Sequence, residues 1–484
     1  MKNSKLVQII ELLNKKQLRD LDNYLPSADL SAEARALYQI IRANAPDFSE
    51  QSLERERVFK LLFPNTPFNY QILRYKMTDL TKAIEDYLSY TEFLEQKKQG
   101  NIFLVKAYER LGLQSCMNDT LRDILRHIDK QNIRDSSYYL LRYQLLDSTL
   151  SLDKNWDETD SDTDNVLKNL DNYYFYQKLK LSCKMYNDRN FVVAAHSKPA
   201  FLDEIDQLVS ISAADLPAAL HIYKKILNLI INEQDDDFKQ LLTYIEVNEH
   251  FFERQELYSI YIYLQNYCTK KYNSGLLEYA GKLFDLYKVM LEKGLLYEEL
   301  PNGKKELAEA HYLNIVRLSA RVKDFAFAET FINEHKNYIN AEKRQNTFLY
   351  NLSYLYFEQK KFDKVLETLR HVDFLTATYA LDARTLMLKY AYETDEETLL
   401  TNQLSSFRVF VSGQKNKVPE STRLIFVSFC KHLTTLAGIR YNPNRRTRAE
   451  IERLRAKMEE DPHSGHKNSW LYEKLEQMSK KISR

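Results

Sequence analysis

Apolar residues along much of this chain recur at three- and four-residue intervals, the period of an α-helix with one buried face. The clearest example is the stretch 346–372, NTFLYNLSYLYFEQKKFDKVLETLRHV. Leu349, Leu352 and Tyr356 mark one helix, and Val365, Leu369 and Val372 mark a second. Lys360 and Lys361 fall between them at a turn. Such a hairpin buries one face on its own partner and another on the next hairpin, so the pattern predicts stacked helix pairs.

The same reading extends over the rest of the chain. Four helices are expected near 4–14, 16–25, 32–44 and 52–62, with Ala45-Pro46 and Phe63-Pro64 ending two of them, since the residue before proline is pushed out of the α region. Asn69 caps a long helix along which Leu73, Met77, Leu80, Ile84, Tyr87 and Leu94 hold one stripe. Residues 1–96 thus read as an N-terminal helical region. Helices then continue in pairs with short connections over 97–437, and 438–484 reads as a basic helical tail. Nearest-neighbour stacking implies that deleting 438–484 leaves most of the helical fold intact.

An internal repeat supports the stacking. Laid over 309–335, the stretch 346–372 matches Tyr312 to Leu349, Ile315 to Leu352, Val316 to Ser353, Phe325 to Phe362 and Ala328 to Val365, each at an offset of 37. An earlier copy places Leu264, Tyr267, Cys268, Ala280 and Phe284 in those roles at an offset of 48, which predicts an insertion near 290–305. The pattern of large apolar, Leu, small and Tyr residues, followed by an aromatic and a small residue in the second helix, resembles the tetratricopeptide repeat. Leu349, Leu352, Ser353, Tyr356, Phe362, Val365 and Leu369 carry it, without the family's first Trp and closing Pro and with Val365 in place of the small residue. The chain as a whole also resembles long bacterial proteins of this kind. The resemblance implies an all-α, right-handed α-solenoid of antiparallel helix pairs (TPR-like) with a binding role.

Composition narrows the alternatives. Only 9 Gly and 10 Pro occur in 484 residues, too few for a sheet protein with many tight turns. Lys and Arg number 69 against 68 Asp and Glu, so no global field favours nucleic acid or membrane. The four cysteines, Cys116, Cys183, Cys268 and Cys430, form no C-x-x-C and read as reduced thiols. Charges interrupt the apolar N-terminus, and no run has the roughly 18 apolar residues of a membrane span. A cytoplasmic location is expected.

Catalytic motifs are absent: there is no G-x-S-x-G, H-E-x-x-H or dinucleotide turn. Gly275, Gly281 and Lys282 miss the spacing of a phosphate loop. The run from Asp160 through Asp162 and Asp164 to Asp171 imitates a calcium loop but lacks its glycine and closing Glu, and reads as an acidic helix cap. Asp461, His463 and His466 read as a solvated turn, without enough ligands for a metal. The pair 52–62 and 69–95 has too long a connection for a DNA-reading helix-turn-helix. No enzyme activity, cofactor or metal is expected.

Two binding surfaces remain. Asn266, Asn314 and Asn351 occupy one repeat position, two residues after the first apolar residue of helix A. In the resembled repeat that position faces the groove, where an amide can hold both the N–H and the C=O of an extended peptide. Tyr350, Tyr354 and Arg317 stand ready to form pockets beside this ladder. The expected function is a non-enzymatic scaffold that binds a partner protein or peptide. The alternative is a nucleic-acid-associated helical-repeat protein using the basic block 438–457, where Arg440, Arg445, Arg446, Arg448, Arg453, Arg455 and Lys457 face Glu450 and Glu452.

Overall fold

The computed structural model describes all residues except 47, 98–101, 151–158, 190–198, 212–215, 233–234, 301–302, 373–376, 415–417, 464–468 and 483–484. Some 78% of the chain is helical, more than twice the share in ordinary globular proteins. The fold is all-α. The chain divides into two compact units, Met1–Tyr174 and Phe175–Arg484.

The first unit holds α1 (Lys5–Leu12), α2 (Lys15–Tyr24), α3 (Ala32–Ala43), α4 (Arg55–Leu62), α5 (Tyr70–Lys97), α6 (Ile102–Leu111), α7 (Gln114–Asp129) and α8 (Ser136–Leu150). Helix α9 (Thr159–Arg189) begins in this unit and ends in the second. Side-chain caps set several starts: Asn14 accepts from Lys16 and Gln17 in a capping box, and Ser31 accepts from Ala34. The expected stripe on α5 is its buried face. Leu73, Leu80, Ile84 and Tyr87 pack against α1–α4. A smaller cluster joins α6, α7 and α8 through Val105, Met117, Leu121 and Leu145.

The second unit continues with α10 (Leu202–Ile211), α11 (Ala218–Asn232), α12 (Asp235–Asn248), α13 (Arg254–Asn273), α14 (Tyr279–Glu292), α15 (Glu309–Arg321), α16 (Phe325–His335), α17 (Arg344–Glu358), α18 (Phe362–Leu369), α19 (Ala377–Glu393), α20 (Glu397–Gly413), α21 (Glu420–Tyr441), α22 (Arg448–Glu459) and α23 (Ser469–Ile482). Helices α13 and α14, α15 and α16, α17 and α18, and α19 and α20 pack as sequence neighbours. Helix α15 also packs on α17, and α17 on α19.

One turn joins the helices of these four pairs. Gly275, Lys323, Lys360 and Asp395 all have positive φ, between 60° and 100°. In each case the following amide reaches back to the carbonyl five residues earlier: Leu276 to Lys271, Asp324 to Ser319, Lys361 to Tyr356 and Glu396 to Ala391. This is the Schellman ending of a helix, which satisfies carbonyls that the helix leaves unpaired. The turns are spaced by 48, 37 and 35 residues. The first two intervals are the offsets found in the sequence, and the third adds a pair that the sequence comparison missed. The extra residues of the 48-residue interval form the one two-stranded ribbon among the described residues, β1 (Tyr297–Glu299) against β2 (Lys305–Leu307), with Glu298 opposite Glu306.

The C-terminal segment is no separable tail. Ile439, Ile451, Leu454, Met458, Trp470, Leu471 and Leu475 belong to the same apolar core as Tyr350, Leu388 and Phe407. The expectation that deleting 438–484 leaves most of the helical fold intact therefore meets a shared core, because α22 and α23 pack on α21 as well as on each other. Burying a large apolar side chain contributes about 1.5–3 kcal/mol. Deleting α23 removes Trp470, Leu471 and Leu475 from that core and is expected to cost on the order of 5 kcal/mol. Denaturant unfolding followed by circular dichroism measures this, and an unchanged midpoint would contradict the packing.

Candidate functional site

The second unit contains a cavity of about 290 Å³ walled by the middle and C-terminal turns of α13, α15, α17 and α19, with α14 and α23 completing it. Helical periodicity places each set of lining residues on one face. Asn314, Arg317, Leu318 and Arg321 come from α15, Tyr350, Tyr354 and Glu358 from α17, and Asp382, Thr385, Leu386 and Lys389 from α19. Helix α13 adds Thr269, Tyr272 and Asn273, and α23 adds Ser469, Trp470 and Glu473.

The repeat register explains this wall. Counted from the common turns, Thr269, Arg317, Tyr354 and Lys389 are equivalent positions, each six residues before the residue of positive φ. One helical step further, Asn273, Arg321 and Glu358 are equivalent in the same way. Two rows therefore run across successive helices, identical in place and different in chemistry.

Charges in the cavity are tied together. The Arg317 guanidinium donates to the Tyr350 hydroxyl at 2.9 Å and to Asp382 at 3.0 Å, and its centre lies 5.8 Å from the Tyr354 ring centroid. Arg321 donates to Glu473 at 2.9 Å, linking α15 to α23. The ammonium of Lys389 stands 5.6 Å from the Trp470 ring centroid, while the indole N–H of Trp470 donates to Glu393 at 2.8 Å. The pKa of Tyr354 is pushed well up by burial and by the neighbouring Glu358 carboxylate. Burial also raises the pKa of Glu358 above the usual 4.5, against the opposing pull of Lys389 and of the Tyr354 hydroxyl.

The asparagine ladder does not form. Asn351 is fully buried and donates to the carbonyl of Thr347 at 2.7 Å, within its own helix. Half-buried Asn266 donates to Asn187 on α9 at 2.9 Å. Only Asn314 reaches the cavity, where it donates to the Tyr287 hydroxyl at 3.0 Å. The residues that line the wall stand three positions further along, at the sites of Thr269, Arg317 and Tyr354. That shift is nearly one helical turn but carries the side chain some 60° around the axis, from the seam between helices to the open face. The structure thus brings together Asn314, Arg317, Tyr350 and Tyr354 and leaves Asn266 and Asn351 in helix contacts.

Several cavity residues went unnoticed in the sequence: Glu358, Asp382, Lys389, Arg321, Tyr272, Trp470 and Glu473. Their one signal is spacing. Arg321 lies four residues after Arg317, and Glu358 four after Tyr354, which puts each pair on one face.

Most of the basic block lies at the surface, paired with groups of its own unit. Arg440 donates to the Tyr392 carbonyl at 2.6 Å and pairs with Asp395 at 2.9 Å. Arg445 and Arg453 converge on Glu450 at 3.0 and 3.4 Å, Arg455 lies 3.9 Å from Glu452, and Arg446 donates to the Arg440 carbonyl. Arg445, Arg446, Arg448, Arg453 and Lys457 are exposed, and Arg440 and Arg455 are half-buried. The stretch from Asp160 to Asp171 lies within α9, not in a loop. A continuous helix does not supply the loop that a calcium site of this kind needs. Asp461 accepts from the amide of His463 and from buried His432, at 3.0 and 2.9 Å, while His466 lies outside the described residues. Among the described residues no three metal-ligating side chains converge, and no helix is long and apolar enough to cross a membrane.

No family model, curated protein or solved structure matches the chain.

The Glu358 shift has a sign that can be measured. Its pKa is raised in the folded state, so ionisation costs more there than in the unfolded chain. Below about pH 4.5 both states are protonated and the cost vanishes; it grows as pH rises through the folded pKa. Glu358→Gln is therefore expected to raise the melting temperature at pH 7.5 and to change it much less at pH 4. Melts at the two pH values test this; a loss of stability confined to pH 7.5 would contradict it.

Proposed function

We propose that the second unit is a tetratricopeptide-like array of helix pairs, a right-handed solenoid, whose first helices form a groove for a partner protein segment. The observation that carries this reading is the pair of equivalent rows, Thr269–Arg317–Tyr354–Lys389 and Asn273–Arg321–Glu358, which line one cavity across the first helices of four and of three successive pairs. A repeat that presents the same positions to one side offers a continuous surface suited to an extended chain. The cavity holds aromatic rings and ion pairs, chemistry that suits binding a partner's side chains. The protein acts in this reading as a non-enzymatic scaffold of the cytoplasm. Nucleic-acid binding through the C-terminal basic block has less to support it, because five of its arginines are engaged by carboxylates or carbonyls within the unit.

The test is site-specific photo-cross-linking in the native host. A benzophenone side chain at Thr269, on the cavity wall, is expected to give discrete protein adducts that survive nuclease treatment. The same probe at exposed Arg448 is expected to give none. Nuclease-sensitive adducts from Arg448, with none from Thr269, would overturn the groove in favour of nucleic acid.

A further inference from the structure

The cavity has an electrostatic asymmetry that its ion pairs leave unresolved. Glu358 is the last residue of α17 and lies on the cavity wall. A helix C-terminus carries partial negative charge, so a carboxylate there is at the unfavourable end. Three other helices also send their final turns to this place: α13 with Tyr272 and Asn273, α15 with Arg321, and α19 with Lys389 one turn before its end. The final turns of four helices thus border the cavity that holds this carboxylate. A carboxylate has room for about four donors, and the side chains that act on Glu358 from this wall to favour its charged form are Lys389, Tyr354 and Arg321.

The cations nearby answer that demand only in part: Lys389 and Arg321 pull the Glu358 pKa down, yet burial leaves it raised. Arg317 is engaged by Asp382 and Tyr350, and Arg321 by Glu473. Lys389 holds its ammonium over the rings of Trp470 and Phe429, at 5.6 and 6.0 Å. An anion entering the cavity would meet three carboxylates, Glu358, Asp382 and Glu473, as well as the helix ends. An entering cation would meet Arg317, Arg321 and Lys389 as well, but the two arginines are paired with Asp382 and Glu473, which leaves it Glu358 and the aromatic side chains of Tyr272, Tyr354 and Trp470; such rings attract ammonium and guanidinium groups. A carboxylate held in a desolvated, unfavourable place is also a common mark of a binding site.

We propose that the cavity is an anchor pocket for a basic side chain, a lysine or arginine of the partner segment, with Glu358 as its counter-ion. This deepens the groove reading above and rests on it. The partner is a protein segment carrying at least one exposed Lys or Arg, with its aliphatic stem against the aromatic wall and its charged head at Glu358.

The chain supplies its own reporter, because Trp470 lines the cavity and Trp156 is the one other tryptophan. In the full-length Trp156→Phe protein, fluorescence of Trp470 is titrated with blocked pentapeptides, acetyl-Ala-Ala-X-Ala-Ala-amide, where X is Lys, Arg, norleucine or Glu. The Lys and Arg peptides are expected to shift the emission saturably. The norleucine and Glu peptides are expected to bind at least tenfold more weakly. Glu358→Gln is expected to lose at least tenfold in affinity for the Lys and Arg peptides with no loss of melting temperature, whereas Arg448→Ala leaves binding unchanged.

Equal binding of the norleucine or Glu peptide would overturn the cationic anchor and leave the groove standing. Failure of all four peptides would also overturn the anchor, while the cross-linking at Thr269 decides separately whether the groove takes a partner. Cadaverine binding as tightly as the Lys peptide would overturn the partner segment in favour of a small free amine. Unchanged peptide affinity in Glu358→Gln would remove the assigned counter-ion.

Discussion

The organisation of the second unit depends on a single backbone constraint, the left-handed residue that ends the first helix of each pair. At Gly275, Lys323, Lys360 and Asp395 the chain leaves one helix and enters the next with the same two hydrogen bonds. Such a turn fixes where the first helix stops and how the second departs. Because the stop is the same, positions counted back from it point the same way in each pair. Cost attaches to this arrangement, since three of the four residues are not glycine and the left-handed region strains an L side chain.

The cavity follows from that register. Six residues before the turn stand Thr269, Arg317, Tyr354 and Lys389, and one helical step on stand Asn273, Arg321 and Glu358. These side chains differ in charge and size, so they complete one another across helices instead of repeating one contact. Arg317 of α15 reaches past α17 to Asp382 of α19, with Tyr350 between them. Breaking a pair of this kind by removing one partner is costly, because it leaves a largely buried charge without its counter-ion. The same node therefore links three helices and sets the polarity of the cavity, leaving Glu358 as the carboxylate at the end of α17.

Much of this was legible in the sequence, for a physical reason. Buried faces are constrained by packing, so the apolar spacing of 346–372 and its match at an offset of 37 could be read directly. The insertion near 290–305 was legible too, from the change of offset alone, although its strands were not: Lys305–Leu307 reads as the start of a helix. The cavity rows were less visible because their identities vary from repeat to repeat. The recurring asparagines drew attention instead, and recurrence there reflects the seam between helices, as the buried Asn351 amide illustrates. The fate of the C-terminus was obscured by its charge. Seven basic residues between 438 and 457 suggested a solvated tail, while Ile451, Leu454 and Met458 among them carry the face that packs into the core.

The most direct test of the account lies in the turn. Lys323 and Lys360 are exposed and hold φ of 66° and 60°. Replacing each with glycine relieves the strain and is expected to raise stability by about 0.5–1 kcal/mol, while Lys360→Val is expected to lower it by a similar amount or more. Denaturant unfolding of the three variants beside the parent protein measures both signs. A loss of about 1 kcal/mol from each glycine, as in an ordinary helix interior, would contradict the left-handed turn and the register built on it.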